Sequence, residues 1–110
     1  MSLNAKILSL LSGIVGVNDR VGIAGSIFYI CDLYLDGHIN EDKARDEIYD
    51  ICFNVLRAVN FDLTDDEVKK KAKMMTEEIM RAVKLEGARR RLFSSLRPRP
   101  STTTRTSSLF

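Results

Sequence analysis

Tryptophan and glutamine are missing from this 110-residue chain, and histidine occurs once, at His38. Cysteine is limited to Cys31 and Cys52, and proline to Pro98 and Pro100. Each scarcity excludes something. Acid–base or nucleophilic catalysis by a histidine needs an adjacent nucleophile or an orienting carboxylate. His38 has only Asp36 near it in sequence, and a solvated turn histidine is expected. The two cysteines form no CxxC or other metal spacing, which argues against a zinc site. Gly13, Gly16, Gly22 and Gly25 are scattered rather than gathered into a phosphate-cradling loop. Gly22 and Gly25 are expected instead to let helices approach closely. With no catalytic constellation, no metal set and no cofactor motif, the chain reads as a protein that is not an enzyme and carries no cofactor.

Long apolar runs are also lacking. Leu3 to Val17 is interrupted by Lys6 and has neither a basic leader nor a cleavage site. Val21 to Leu35 is too short to span a bilayer and contains Asp32. The expected setting is the cytoplasm, away from membranes, with both cysteines as buried, reduced thiols. Scarce amides beside abundant Lys, Arg and Glu fit a thermophilic source.

What is present is helical periodicity. Leu3, Ile7, Leu8, Leu11, Ile14 and Val15 recur at helical intervals after Ser2, a candidate N-cap. Asn18 and Asp19 offer a cap for a second helix. Its apolar face reads Val21, Ala24, Ile27, Phe28, Cys31, Tyr34 and Leu35, broadened by Ile23 and Ile30, so this helix is expected to be the most buried. Asp36-Gly37 makes its stop. A third helix starts at the cap Asn40, buries Ala44, Ile48, Ile51, Cys52, Val55, Leu56 and Val59, and ends at Asn60. Thr64-Asp65-Asp66-Glu67 is a capping box, with Leu63 and Val68 placed for a hydrophobic staple. The fourth helix turns Val68, Ala72, Met75, Ile79, Ala82 and Val83 inward and runs to about Leu96. Gly87 is a weak point costing ~1 kcal/mol relative to Ala.

The fold class expected is all-α: a small three- to four-helix bundle over 1–96, followed by a disordered basic tail over 97–110 rich in Arg, Pro, Ser and Thr. The core helices are placed at 19–36, 41–59 and 65–95, with the N-terminal helix packing on them or on a second subunit. A core this small gains from self-association, so a homodimer is an expected partner state.

The turn between the second and third helices resembles an EF-hand loop beginning at Asp32, with Asp36 fifth and Gly37 sixth. The resemblance fails at two decisive ligands. Tyr34 stands third, and Lys43 stands twelfth, where calcium needs a bidentate glutamate. A helical hairpin without metal is the expectation.

Charge is unevenly spread. Residues 88–110 hold six arginines (Arg89, Arg90, Arg91, Arg97, Arg99, Arg105) and no acid. Removing those six from the 17 bases leaves 11 against 15 acids over residues 1–87, a balance of −4. The lysines Lys69, Lys70 and Lys71 follow Asp65, Asp66 and Glu67 by four residues, and Glu77–Arg81 and Glu86–Arg90 repeat that spacing, which stabilises a helix. A looser stripe, Lys70, Lys73, Arg81, Lys84 and Arg91, extends the basic end along the fourth helix. Arg89, Arg90 and Arg91 suit a helix C-terminus and lead into the flexible arm, a combination that grips phosphate backbone of DNA or RNA. The expected function is therefore a non-catalytic accessory protein of a nucleic-acid-associated complex, binding through these six arginines.

The alternative is a protein–protein adaptor. Leu109 and Phe110 close a polar tail where nothing local can bury them, as in a linear motif that docks into a larger partner's pocket. Ser108-Leu109-Phe110 is similar to PDZ-binding tails. Thr106 to Phe110 resembles the hydrophobic tails that dock on sliding clamps, without their glutamine and second aromatic.

Overall fold

A few polar side chains decide where several helices of this chain begin or stop. The computed structural model describes residues 2–96. It contains α1 (Leu3–Ser12), α2 (Val17–Leu35), α3 (Glu41–Val59) and α4 (Asp65–Leu96), and no strand among the described residues. Ser2 Oγ accepts from the Ala5 amide at 3.1 Å and starts α1. Asn40 Oδ1 accepts from the Lys43 amide at 2.8 Å and starts α3. Asn60 ends α3 by donating its side-chain amide to the Leu56 carbonyl at 2.9 Å. At the head of α4 the capping box is closed both ways: the Thr64 amide donates to Glu67 Oε1 at 2.8 Å, and the Glu67 amide donates to Thr64 Oγ1 at 3.2 Å. Hydrogen bonding from Thr64 holds the Glu67 carboxyl below its ordinary range. Leu63 packs on the core and Val68 is fully buried, as the staple requires.

The α2–α3 connection is a Schellman turn. Gly37 takes φ +82°, its amide donates to the Tyr34 carbonyl at 3.1 Å, and the His38 amide donates to the Leu33 carbonyl at 2.8 Å. Asp32 and Tyr34 lie inside α2. With only residues 36–40 between the helices, there is no twelve-residue loop of the EF-hand kind. The start of α2 departs from expectation. Asn18 and Asp19 fall within its first turn, and Gly16 is the N-cap without a side-chain bond. Val15 turns into the core just before, which brings the helix start forward. Arg20 fastens this corner by donating Nη2 to the Val15 carbonyl at 3.3 Å.

All four helices share one core. Ile7 and Leu11 come from α1, Ala24, Ile27 and Cys31 from α2, Ala44, Ile48, Cys52 and Leu56 from α3, and Val68, Ala72, Ile79, Met80 and Val83 from α4. The N-terminal helix thus packs on its own bundle, against α2 and α4. The helix expected to be most buried is not. α2 lies at the edge, touching α4 only slightly, and Val21 is 70% exposed and Tyr29 62%. Gly22 and Gly25 are exposed too, with nothing within 4 Å of where a Cβ would stand, so they mediate no close packing. The central element is α4, whose face from Val68 to Val83 is covered mainly by α3 and α1. No helix among the described residues is long and apolar enough to cross a membrane.

The acids of α4 are used differently from the expected (i, i+4) pattern. Asp65 pairs across to Arg57 at 3.1 Å, Glu67 caps, and Glu77 meets Arg45 Nε of α3 at 2.8 Å. Of the expected pairs, Glu86–Arg90 forms, at 3.0 Å. Glu41 joins the cross-helix network by accepting from Arg45 at 3.0 Å and from Lys84 at 2.7 Å. Lys84 and Arg45 hold the Glu41 carboxyl low, and Arg45 does the same for Glu77.

Two outcomes follow from these contacts. Thr64→Ala removes the oxygen that caps α4 and should destabilise the fold by about 1 kcal/mol in denaturant titration; an unchanged midpoint would show that the box contributes nothing. The thiols Cys31 and Cys52 are unpaired and buried, and burial pushes them up to about 12 and about 11. Below the unfolded value of 9.0 both states keep the proton. Above it the unfolded chain ionises first, so stability should fall as pH rises from there toward the folded values. The native protein should also react with a thiol reagent at its unfolding rate; rapid labelling at neutral pH would contradict the burial.

Candidate nucleic-acid interface

The inward stripe of α4 runs out before the helix does. Val83 is fully buried, and Gly87 is the last position of the helix to be so. Residues 88–95 are all exposed. Gly87 is a point of close approach rather than a simple weakness. A Cβ there would stand 3.3 Å from Leu35 Cδ2 and 3.5 Å from Arg91 Nη1, so its bare backbone lets the end of α2 lie against α4. The molecule measures 62 Å along its longest axis, against 28 and 21 Å across.

Basic residues crowd this last stretch. Between residues 84 and 91, Lys84, Arg89, Arg90 and Arg91 face a single acid, Glu86, leaving a charge of +3. Glu86 is shared, at 3.0 Å from Arg90 Nε and 3.6 Å from Arg89 Nη1. The Arg89 guanidinium also lies 6.0 Å from the centroid of the Phe93 ring, which is 57% exposed. Arg91 makes no ion pair among the described residues.

Successive residues on a helix are 100° apart, so the three arginines fan out rather than form one patch. Arg89 faces the α1 side, in a shallow groove with Leu3, Lys6 and Leu85. Arg91 faces the α2–α3 turn. Arg90 stands between, lining that side together with Arg91 and also a recess beside Ser2 and Asp32.

The turn side is concave. A cleft of about 590 Å³ is bounded by Tyr34, Leu35, Gly37 and Ile39 from the hairpin, and by Lys84, Gly87, Arg90 and Arg91 from α4. No carboxylate lines it. Its hairpin side carries Tyr34, Leu35 and Ile39, and its α4 wall carries three cations, of which Lys84 is held by Glu41 and Arg90 by Glu86. An anionic group with a flat apolar portion matches such a lining.

The sequence-derived stripe is split by this geometry. Lys84 and Arg91 join the cleft. Lys70, Lys73 and Arg81 instead line a separate open groove around Met74, where Glu77 and Glu78 interleave with them. Lys69, Lys70 and Lys71 pair with no carboxylate among the described residues. Arg97, Arg99, Arg105, Leu109 and Phe110, and the expected disordered tail as a whole, lie outside the described residues. What sequence reasoning missed is the contribution of Tyr34, Gly37 and Ile39. Tyr34 counts as a core residue by spacing and does pack against the core's edge, while the left-handed turn at Gly37 leads Ile39 onto the same cleft. Comparison with protein-family models, curated proteins and solved structures finds no match to this chain.

Proposed function

We propose that this protein is a non-catalytic, cytoplasmic accessory of a nucleic-acid-associated complex, holding phosphate backbone through the end of α4 and the arginines that follow it. One observation carries the reading. Three arginines, Arg89 to Arg91, cluster on the helix end past its last buried position, with Lys84 beside them, on a body whose other charges sum to an acidic balance. Side chains left in water at the end of a projecting helix keep the freedom to meet a polyanion. The net acidic balance of the rest of the bundle disfavours a polyanion elsewhere and so helps to orient it. Arg97, Arg99 and Arg105 continue the same charge along the chain with no acid between them.

Arginine contacts of this kind position a strand without reading its sequence. Binding is then driven by counterion release and falls steeply with salt. An adaptor that docked only Leu109 and Phe110 into a protein pocket would lack that dependence.

The test is a salt titration of polynucleotide binding by the full chain and by the triple variant Arg89→Ala, Arg90→Ala, Arg91→Ala. The variant should bind all sequences more weakly by a similar factor, with a salt slope flatter by up to about three phosphate contacts. Absence of binding by the parent chain at ~50 mM salt, where phosphate attraction is strong, would remove nucleic acid from the account and leave the adaptor reading.

A further inference from the structure

We infer that the cleft between the α2–α3 turn and the end of α4 accepts one unpaired nucleotide, making single-stranded nucleic acid the substrate class of the interface. The inference rests on the phosphate-binding reading above and adds what the strand must look like.

Shape is the first argument. The cleft is concave, at about 590 Å³ in the size range of small-ligand sites. A duplex offers a protein its convex backbone and the edges of stacked bases, and none of these fills a recess. A single strand can turn a base out and insert it. Lining is the second argument. A nucleotide is a flat aromatic ring joined to an anion. The cleft sets an aromatic ring, Tyr34, and two aliphatic side chains, Leu35 and Ile39, opposite the cations Lys84, Arg90 and Arg91. Base stacking on an aromatic side chain within a cationic groove is how single strands are held without sequence preference.

The third argument concerns the glycines. Gly37 and Gly87 are the positions where a side chain would narrow the cleft, one from each wall. Gly37 is required by its φ of +82°. Gly87 has no such backbone constraint, and it carries a helix-interior cost relative to alanine. A Cβ there would press on Leu35 Cδ2 and Arg91 Nη1, two groups of the cleft's own lining.

Fluorescence anisotropy with a labelled oligothymidylate, an oligouridylate and a duplex, each of about 15 nucleotides per strand, decides the matter at ~50 mM salt. The full-length parent should bind both single strands more tightly than the duplex. Tyr34→Ala should weaken single-strand binding by about tenfold or more and leave duplex binding within about twofold. Tyr34→Phe keeps a stacking ring and should bind as the parent does. Gly87→Leu crowds Leu35 and Arg91 in the cleft lining without removing a charge and should reproduce the Tyr34→Ala loss, with circular dichroism confirming that both variants keep the parent's helicity. Equal or tighter duplex binding by the parent overturns the inference. So does parent-like single-strand binding by folded Tyr34→Ala and Gly87→Leu. In either case the phosphate-binding reading survives, whereas failure to bind any of the three probes defeats that reading itself.

Discussion

The apolar stripe of α4 is shorter than α4, and that mismatch governs the rest of the molecule. Val68, Ala72, Ile79, Met80 and Val83 are buried by α1 and α3 and fix the helix against the bundle. Past Gly87 the residues through Ser95 are all exposed. A helix without packing depends on its own propensity and local side-chain pairs. Here the continuation is supported by Glu86 with Arg89 and Arg90, and by Arg89 over Phe93. The exposure that leaves this stretch outside the core also leaves an excess of positive charge facing solvent.

The register of α3 on α4 is marked by a polar network at the rim of the core. Arg45 reaches both Glu77 and Glu41, and Glu41 reaches Lys84. Such half-exposed pairs contribute little stability, typically ~0–1 kcal/mol each. Their consequence is positional. They place Lys84 at the rim of the cleft, one helical turn before Gly87 and two before Arg91. Inside the same interface, Thr76 is the one buried polar side chain among the described residues, and it satisfies itself by donating to the Ala72 carbonyl at 2.7 Å. The α3–α4 contact thus holds no uncompensated polar group that would let it slide.

Helix ends were legible in the sequence wherever a side chain does the capping. Ser2, Asn40, Asn60 and the Thr64–Glu67 box act as their spacing implies, because each needs only neighbours within four residues. The α2 start was missed, since Gly16 caps through its backbone alone. Burial along α2 was overestimated because periodicity shows which residues share a face and not how many helices will cover it. Val21 keeps the spacing of a core residue and is exposed. The pairing of Glu77 was misread for a related reason: Arg45 is 32 residues away in sequence, and a local rule cannot compete with it. The basic end was visible as composition. The cleft was not, since Tyr34 and Gly87 come together only where the end of α2 approaches α4 at Leu35.

An amide chemical-shift titration of the isotope-labelled full chain with an oligothymidylate tests the central claim most directly, because it reports location and binding together. The account predicts that the largest shifts fall on Gly37, Lys84, Gly87 and Arg89 to Arg91, with α4 from Lys69 to Met74 little changed. Shifts concentrated at Lys69, Lys70, Lys71 and Lys73, or along the exposed face of α2, would contradict it.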